Sequence, residues 1–121
     1  VFGSNRRGMH GAGAARFAAL HYGAISGQGE GRQGDAYALP TKETPWQTLS
    51  LAQIAEQVAC FIAYAESQPD EVFWLTEIGC GYAGYFATDI SPLFAAAPAN
   101  VICIDLEQQP VGLASGWVAR C

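Results

Sequence analysis

The sequence predicts an α/β fold with a largely parallel sheet. Strand-length apolar runs alternate with helical stretches along the chain, in the order strand, loop, helix, short strands, helix, strand, loop, helix, strand. Crossover helices between parallel strands produce that order. Two of the runs, one ending at Asn5 and one at Thr76, pass straight into glycine-rich loops. Half of the 121 residues are hydrophobic and only 14% are charged. That is enough for one domain with a buried core and too little charge for a disordered chain.

Val1 and Phe2 read as the end of a first strand, with Asn5 at its exit. The loop that follows carries Gly8, Gly11 and Gly13, and the residues from Ala12 to Tyr22 form a helix with Phe17 and Leu20 on its apolar face. Gly23 stands where a helix C-cap is expected. Ala24 to Ser26 is a short apolar piece, and GQGEGRQGD after it holds four glycines within eight residues. Tyr37 to Lys42 reads as a short extended run ended by Pro40. The strongest helix is predicted between Thr48 and Pro69. Ser50 and Gln53 form its capping box, and Leu51, Ile54, Ala55, Val58, Phe61, Ile62 and Ala65 form its apolar stripe.

Val72 to Thr76 is a continuous apolar run, as expected for a strand buried on both faces. It enters a second glycine-rich loop, Ile78 to Tyr85, then a short helix over Thr88 to Phe94 and a last strand over Val101 to Asp105. Residues 1–105 are taken as the domain and 106–121 as a C-terminal tail without a clear pattern.

The net charge of −5 argues against a broad nucleic-acid surface, which needs a basic face. The charge is uneven: residues 1–50 carry +2 and residues 51–121 carry −7. Either the acids of the second half simply solvate helix faces, or Arg6, Arg7 and Arg32 beside the glycine-rich segments mark where an anion would bind. Cys60 and Cys103 fall in apolar runs and are expected to be buried. The four cysteines form no CxxC pair, and His10 and His21 lack metal-ligand spacing, so no metal and no cofactor is called for. A reduced, cytoplasmic setting is the expectation, with no membrane partner because no apolar run is long enough to span a bilayer. The chain opens inside a strand without an initiator methionine, so some residues are expected to be missing or processed. Oligomerisation stays open.

The two loops carry the functional signal. Glycine lets a backbone turn sharply and approach a ligand closely. A loop entering a helix N-terminus offers unpaired N–H groups and partial positive charge to a phosphate. HGAGAA, from His10 to Ala15, lacks the Gly-Lys-Ser/Thr of a phosphate-binding Walker loop and the spacing of a dinucleotide fingerprint. The alternative is tight packing of helix on sheet, which also selects Gly and Ala. IGCGYAGY can form a nest of backbone N–H groups for a diphosphate, with Tyr82 or Tyr85 over a ribose or base, or it can be an ordinary turn whose aromatics complete the core.

VFGSN, HGAGAARFA, GQGEGRQGDAYALPTK and TEIGCGYAGY, in that order, resemble a small bacterial and phage family of macro-domain-like proteins, over about residues 1–104. A more distant similarity is to macro domains themselves, which bind ADP-ribose and in some cases hydrolyse ADP-ribosyl linkages. The resemblance implies a macro-domain-like three-layer α/β/α fold with a mostly parallel mixed sheet. It puts Asn5 at the distal ribose and His10, Gly11, Ala12 and Gly13 in the loop around that ribose and the diphosphate. Tyr37, Leu39 and Pro40 resemble the strand before the central helix. Gly79, Cys80, Gly81, Tyr82 and Gly84 match the second phosphate loop, with Tyr82 at its aromatic position. Arg7, Arg32 and Tyr85 complete the expected ligand-binding set. The aspartate that reads adenine in macro domains lies upstream of this sequence. The GQGEGRQGD insertion has no macro-domain counterpart and offers Gln28, Glu30, Arg32, Gln33 and Asp35 as further pocket residues.

The expected function is binding of ADP-ribose or a related, cyclic nucleotide in a two-loop crevice, in a phage setting as a counter-defence protein that sequesters a signal. An ADP-ribosyl glycohydrolase is the first alternative. It needs a polar group beside the anomeric carbon, with Asn5, His10 and Glu77 the main candidates and Glu30 and Asp35 behind them. Cys80 at a loop with free N–H groups is a possible nucleophile without a base positioned beside it. The second alternative is an interaction module with a degenerate pocket and exposed Trp46 and Trp117 at its interface.

Overall fold

The structure is a computed structural model and describes residues 1–81, 83–105 and 107–117. Among these residues seven strands and three α-helices follow one another: β1 (Phe2–Asn5), α1 (Gly13–His21), β2 (Gly31–Gln33), β3 (Ala36–Thr44), β4 (Gln47–Thr48), α2 (Leu51–Ser67), β5 (Phe73–Leu75), α3 (Ala87–Ile90), β6 (Val101–Ile104) and β7 (Pro110–Leu113). A 3₁₀ turn over Ser91–Phe94 extends α3.

The chain is mixed α/β, but the single mostly parallel sheet expected from the sequence is two mixed sheets. In the first, β3 pairs parallel with β1 and antiparallel with β2 and β4. In the second, β6 lies between parallel β5 and antiparallel β7. The antiparallel members are short hairpin or edge additions, too brief to show as periodicity. Hydrogen bonds at Val1 tie the sheets together. Its N–H donates to Trp74 O (2.7 Å), and its carbonyl accepts from Thr76 N (3.2 Å) and Thr76 Oγ1 (2.9 Å). β1 and β5 therefore run parallel, and both glycine-rich loops leave the same edge.

Alternation along β3 organises the layers, because successive strand residues face opposite sides. Tyr37 and Leu39 join the main core with Ile54, Val58, Phe61, Ile62 and Ala65 of α2, Phe73 and Leu75 of β5, and Val101 and Cys103 of β6. Ala36 and Ala38 face the other way and meet Phe2 and, on α1, Ala15 and Ala18. The small side chains let α1 lie close to the sheet. Its buried face is thus alanine, and Phe17 and Leu20 are exposed instead of forming the apolar stripe expected of them. Ser50 caps α2: its side chain accepts from Gln53 N, while Ser50 N donates to Gln53 Oε1. Caps of this kind contribute about 1 kcal/mol.

Several other expectations are corrected. β3 runs through Pro40, which is fully buried. On the side away from β1, Pro40 falls between residues 36–38, paired to β2, and residues 42–44, paired to β4. A residue without an N–H is tolerated in such a gap. β5 is not buried on both faces: Trp74 is 41% exposed, on the side opposite Phe73 and Leu75. That side of β5 faces α1 across open space, whereas α1 and α2 pack directly on opposite faces of β1 and β3. Cys60 lies on the exposed side of α2, whereas Cys103 is buried as expected. In the C-terminal stretch, which the sequence leaves open as tail, extra strand or loop, Pro110–Leu113 forms β7 of the second sheet, and Trp117 packs on Phe94 in the core with ring centroids 5.7 Å apart. Trp117 is therefore not an exposed interface residue.

Phe61 is fully buried and stacks edge-on against Tyr37 and Phe73, with centroids 4.9 and 5.6 Å away. Phe61→Ala is expected to lower stability by about 3–5 kcal/mol, read as a shift of the urea midpoint at unchanged slope.

Candidate functional site

The first loop is held by contacts between backbones. Gly8 has φ +70°, and a Cβ there would come 2.4 Å from Gln28 N. A Cβ on Gly29 would come 2.2 Å from Asn5 O. Gly27 N donates to Gly8 O (2.9 Å), and Ser4 Oγ donates to Gly29 O. Within the loop, the Asn5 amide donates to Met9 O (3.0 Å) and accepts from Met9 N (3.2 Å).

The buried Gln33 amide is the hub of this brace. Its Oε1 accepts from Ile25 N at 2.7 Å, and its Nε2 donates to Gln28 O at 3.0 Å. His10 Nε2 lies 3.0 Å from Gln28 O and 3.3 Å from Gln33 Oε1. Both are acceptors, so Nε2 carries a proton. Nδ1 is buried without a hydrogen-bond partner among the described residues, and the ring meets the edge of Phe2 at 5.2 Å.

This brace positions one wall of a cavity of about 610 Å³, within the range of roughly 300–1,000 Å³ usual for small-molecule sites. Asn5, Met9 and Gly11 to Ala15 form that wall, and Thr76 to Gly81 with Ala83 form the facing one. Thr41, Lys42, Pro45 and Trp46 complete it. α1 begins at this wall, and Ala12, its N-cap, supplies no side-chain hydrogen bond. The first-turn N–H groups therefore have no side-chain cap to compete with an anion. Two glycines, Gly11 and Gly81, have open space where a Cβ would be. Gly79 is different: its φ is +79°, and a Cβ would come 2.9 Å from Ile90 Cδ1, so it serves the turn. Cys80 Sγ donates to Ile78 O at 3.7 Å.

Of the residues expected to bind ligand, Asn5, Gly11, Ala12, Gly13, Gly79, Cys80 and Gly81 line the cavity, as does Glu77. Five others do not. Arg7 is an exposed loop residue outside it. His10 belongs to the brace through its Nε2. Gly84 lies beyond the wall, and Tyr85 is turned inward, its hydroxyl donating to Leu49 O at 2.7 Å. Arg32 is placed elsewhere altogether. Tyr82 lies outside the described residues.

The insertion serves the loop instead of the pocket. Gln28 and Gln33 brace His10, and Glu30 lines neither cavity. Arg32 and Asp35 line a second, larger cavity of about 830 Å³ between α1 and β5, with Phe17, Tyr22 and Trp74. Arg32 donates to Glu71 (2.6 Å), Gly34 O (2.7 Å) and the Tyr64 hydroxyl (3.2 Å). The hydrogen bond it donates to the Glu71 carboxylate is the main reason its pKa is raised. Nearby, burial pushes the Tyr37 hydroxyl up to about 12. The two cavities share Gly13, Ala14, Thr76 and Glu77 as a common wall.

Lys42 and Trp46 were missed as site residues. Lys42 Nζ donates to Pro45 O across the hairpin turn, and it is the cation lining the smaller cavity among the described residues. The signal available for it was the TK that ends the YALPTK block. Comparison with family models, curated proteins and solved structures finds no match to this chain. Among the described residues no three or more His, Cys, Asp or Glu side chains are grouped to hold a metal ion, and no helix is long and apolar enough to cross a membrane.

Two variants separate brace from charge. Gly29→Ala drives a methyl into the Asn5 carbonyl and is expected to destabilise the protein by about 2 kcal/mol or more, seen as a lowered melting temperature. Arg32→Met removes a half-exposed ion pair and is expected to cost less than about 1 kcal/mol. It should leave ligand affinity at the smaller cavity unchanged.

Proposed function

We propose that this chain binds ADP-ribose or a related, cyclic nucleotide in the smaller cavity, in a macro-domain-like fold. The supporting observation is the convergence of two glycine-rich loops, both leaving the same sheet edge, on one hollow of ligand size. One loop ends at an uncapped helix N-terminus. The other lines the cavity with Gly79, Cys80 and Gly81. Backbone N–H groups of this kind hold phosphate without cationic side chains, which suits a cavity whose lining holds a carboxylate, Glu77, as well as Lys42. Glu77 is suited to accept hydrogen bonds from sugar hydroxyls.

Binding without turnover is the favoured form. His10 is committed to Gln28 and Gln33, and Asn5 to Met9. Glu77 is left as the acid or base a glycohydrolase would use. In a phage setting such a binder acts by withdrawing a nucleotide signal.

Calorimetric titration with ADP-ribose, cyclic ADP-ribose isomers, NAD and AMP, followed by recovery and analysis of the ligand, tests this. The expected outcome is saturable binding with the ligand recovered intact. Binding of none of them sinks the nucleotide reading, and an altered ligand replaces the binder with an enzyme. Gly11→Val and Gly81→Val place side chains where a Cβ meets nothing within 4 Å. Each is expected to keep the melting temperature and to weaken binding at least about tenfold, a loss of about 1.4 kcal/mol.

A further inference from the structure

Trp46 is 80% exposed, yet it lines the ligand-sized cavity. A large apolar ring left in water is informative when it stands at the mouth of a pocket instead of being scattered on the surface. The ring is held out by its hairpin. Trp46 follows Pro45 in the turn between β3 and β4, where Thr44 pairs with Gln47. Its N–H donates to Thr44 Oγ1 at 3.2 Å. The hairpin is fixed at both ends of the pocket. Lys42 Nζ donates to Pro45 O on one side, and Thr48 Oγ1 donates to Ala83 O at 3.2 Å on the other. The second bond joins the hairpin to the loop that forms the facing wall. Trp46 makes no ring contact with another aromatic among the described residues, whereas Phe61, Phe73 and Trp117 are all in ring pairs.

Resting on the nucleotide reading above, we propose that Trp46 is a stacking platform for the base of the bound nucleotide. The base lies on the indole at the rim while the diphosphate sits among the glycine loops. Every base has a π-face, so stacking of this kind tolerates base identity. What Trp46 itself offers a base is a face and no base-edge hydrogen bond, since its backbone N donates to Thr44 Oγ1, and Lys42 beside it has one donor on Pro45 O. The site therefore selects diphosphate and sugar over base edge, and its ligand class is nucleoside diphosphates and their sugar conjugates.

Calorimetry on the intact chain and two variants tests this with ADP-ribose, ADP, GDP, UDP and ribose 5-phosphate. Trp46→Ala, at an exposed site, is expected to keep the melting temperature. It should weaken the three diphosphates and ADP-ribose by about five- to a hundredfold and leave ribose 5-phosphate unchanged. Trp46→Phe should recover most of the loss. In a Trp74→Phe background, indole fluorescence should be quenched by ADP and not by ribose 5-phosphate. ADP-ribose affinity unchanged in Trp46→Ala overturns the stacking role while leaving the nucleotide reading intact. So does equal loss for ribose 5-phosphate, which makes Trp46 a wall for the sugar. A strong preference for adenine over guanine and uracil overturns base tolerance. Failure of the unaltered protein to bind any nucleotide overturns both readings together.

Discussion

The site depends on the close approach of two backbones. The loop after β1 carries the first wall of the smaller cavity, yet it has few apolar side chains to anchor it. It is held because Gly8 and Gly29 bring its peptide groups against those of the segment around Gly27 to Gly29. Side chains of ordinary size at either position would separate the two segments by the width of a methyl group. Gln33 then satisfies the polar groups such an approach would strand, bonding Ile25 N and Gln28 O and meeting His10. Buried amides left unpaired cost a few kcal/mol each, so the network and the glycines are one device.

That device explains how the chemistry is divided between neighbouring glycines. Gly8, Gly29 and Gly79 are needed by the backbone, while Gly11 and Gly81 border empty space. His10 follows the same logic. It stands in the middle of a phosphate-loop-like motif, yet its protonated Nε2 points into the brace. The uncapped start of α1 is what the loop presents to the cavity.

The parts of the fold written in local chemistry were legible. Ser50 and Gln53 marked the start of α2, and Ile54, Val58, Phe61, Ile62 and Ala65 marked its buried face. Asn5 at the end of β1, Gly23 after α1 and the short helix after the second glycine loop were also readable, because caps, turns and periodicity act within a few residues. Pairing between distant segments was not. The course of β3 through Pro40, the addition of β7 and the burial of Trp117 depend on partners far away in sequence. Of the candidate site, the two loops were legible as walls, but side-chain direction was not. Arg32 was expected at an anion and is held by Glu71, 39 residues away. Tyr85 was expected at a ligand and bonds Leu49 O. Trp46 looked like an interface residue, and nothing local linked its hairpin to Ala83.

The open side of β5 bears on how the molecule breathes. Over β1 and β3 both faces of the sheet are packed, by α1 and by α2, so opening there must disrupt two layers at once. Over β5 and β6 only the α2 side is closed, and Trp74 looks outward with Ile102 opposite it in register. β7, exposed along its whole length, forms the edge of that sheet. Local opening free energies follow buried contact. Amide protons should therefore exchange with solvent in a gradient across the sheets, fastest at β7 and slowest at β3. The second wall of the cavity hangs from β5, on the side that opens more readily. Its partner hangs from β1, on the side that stays shut, so the cavity is bounded by one yielding wall and one firm wall.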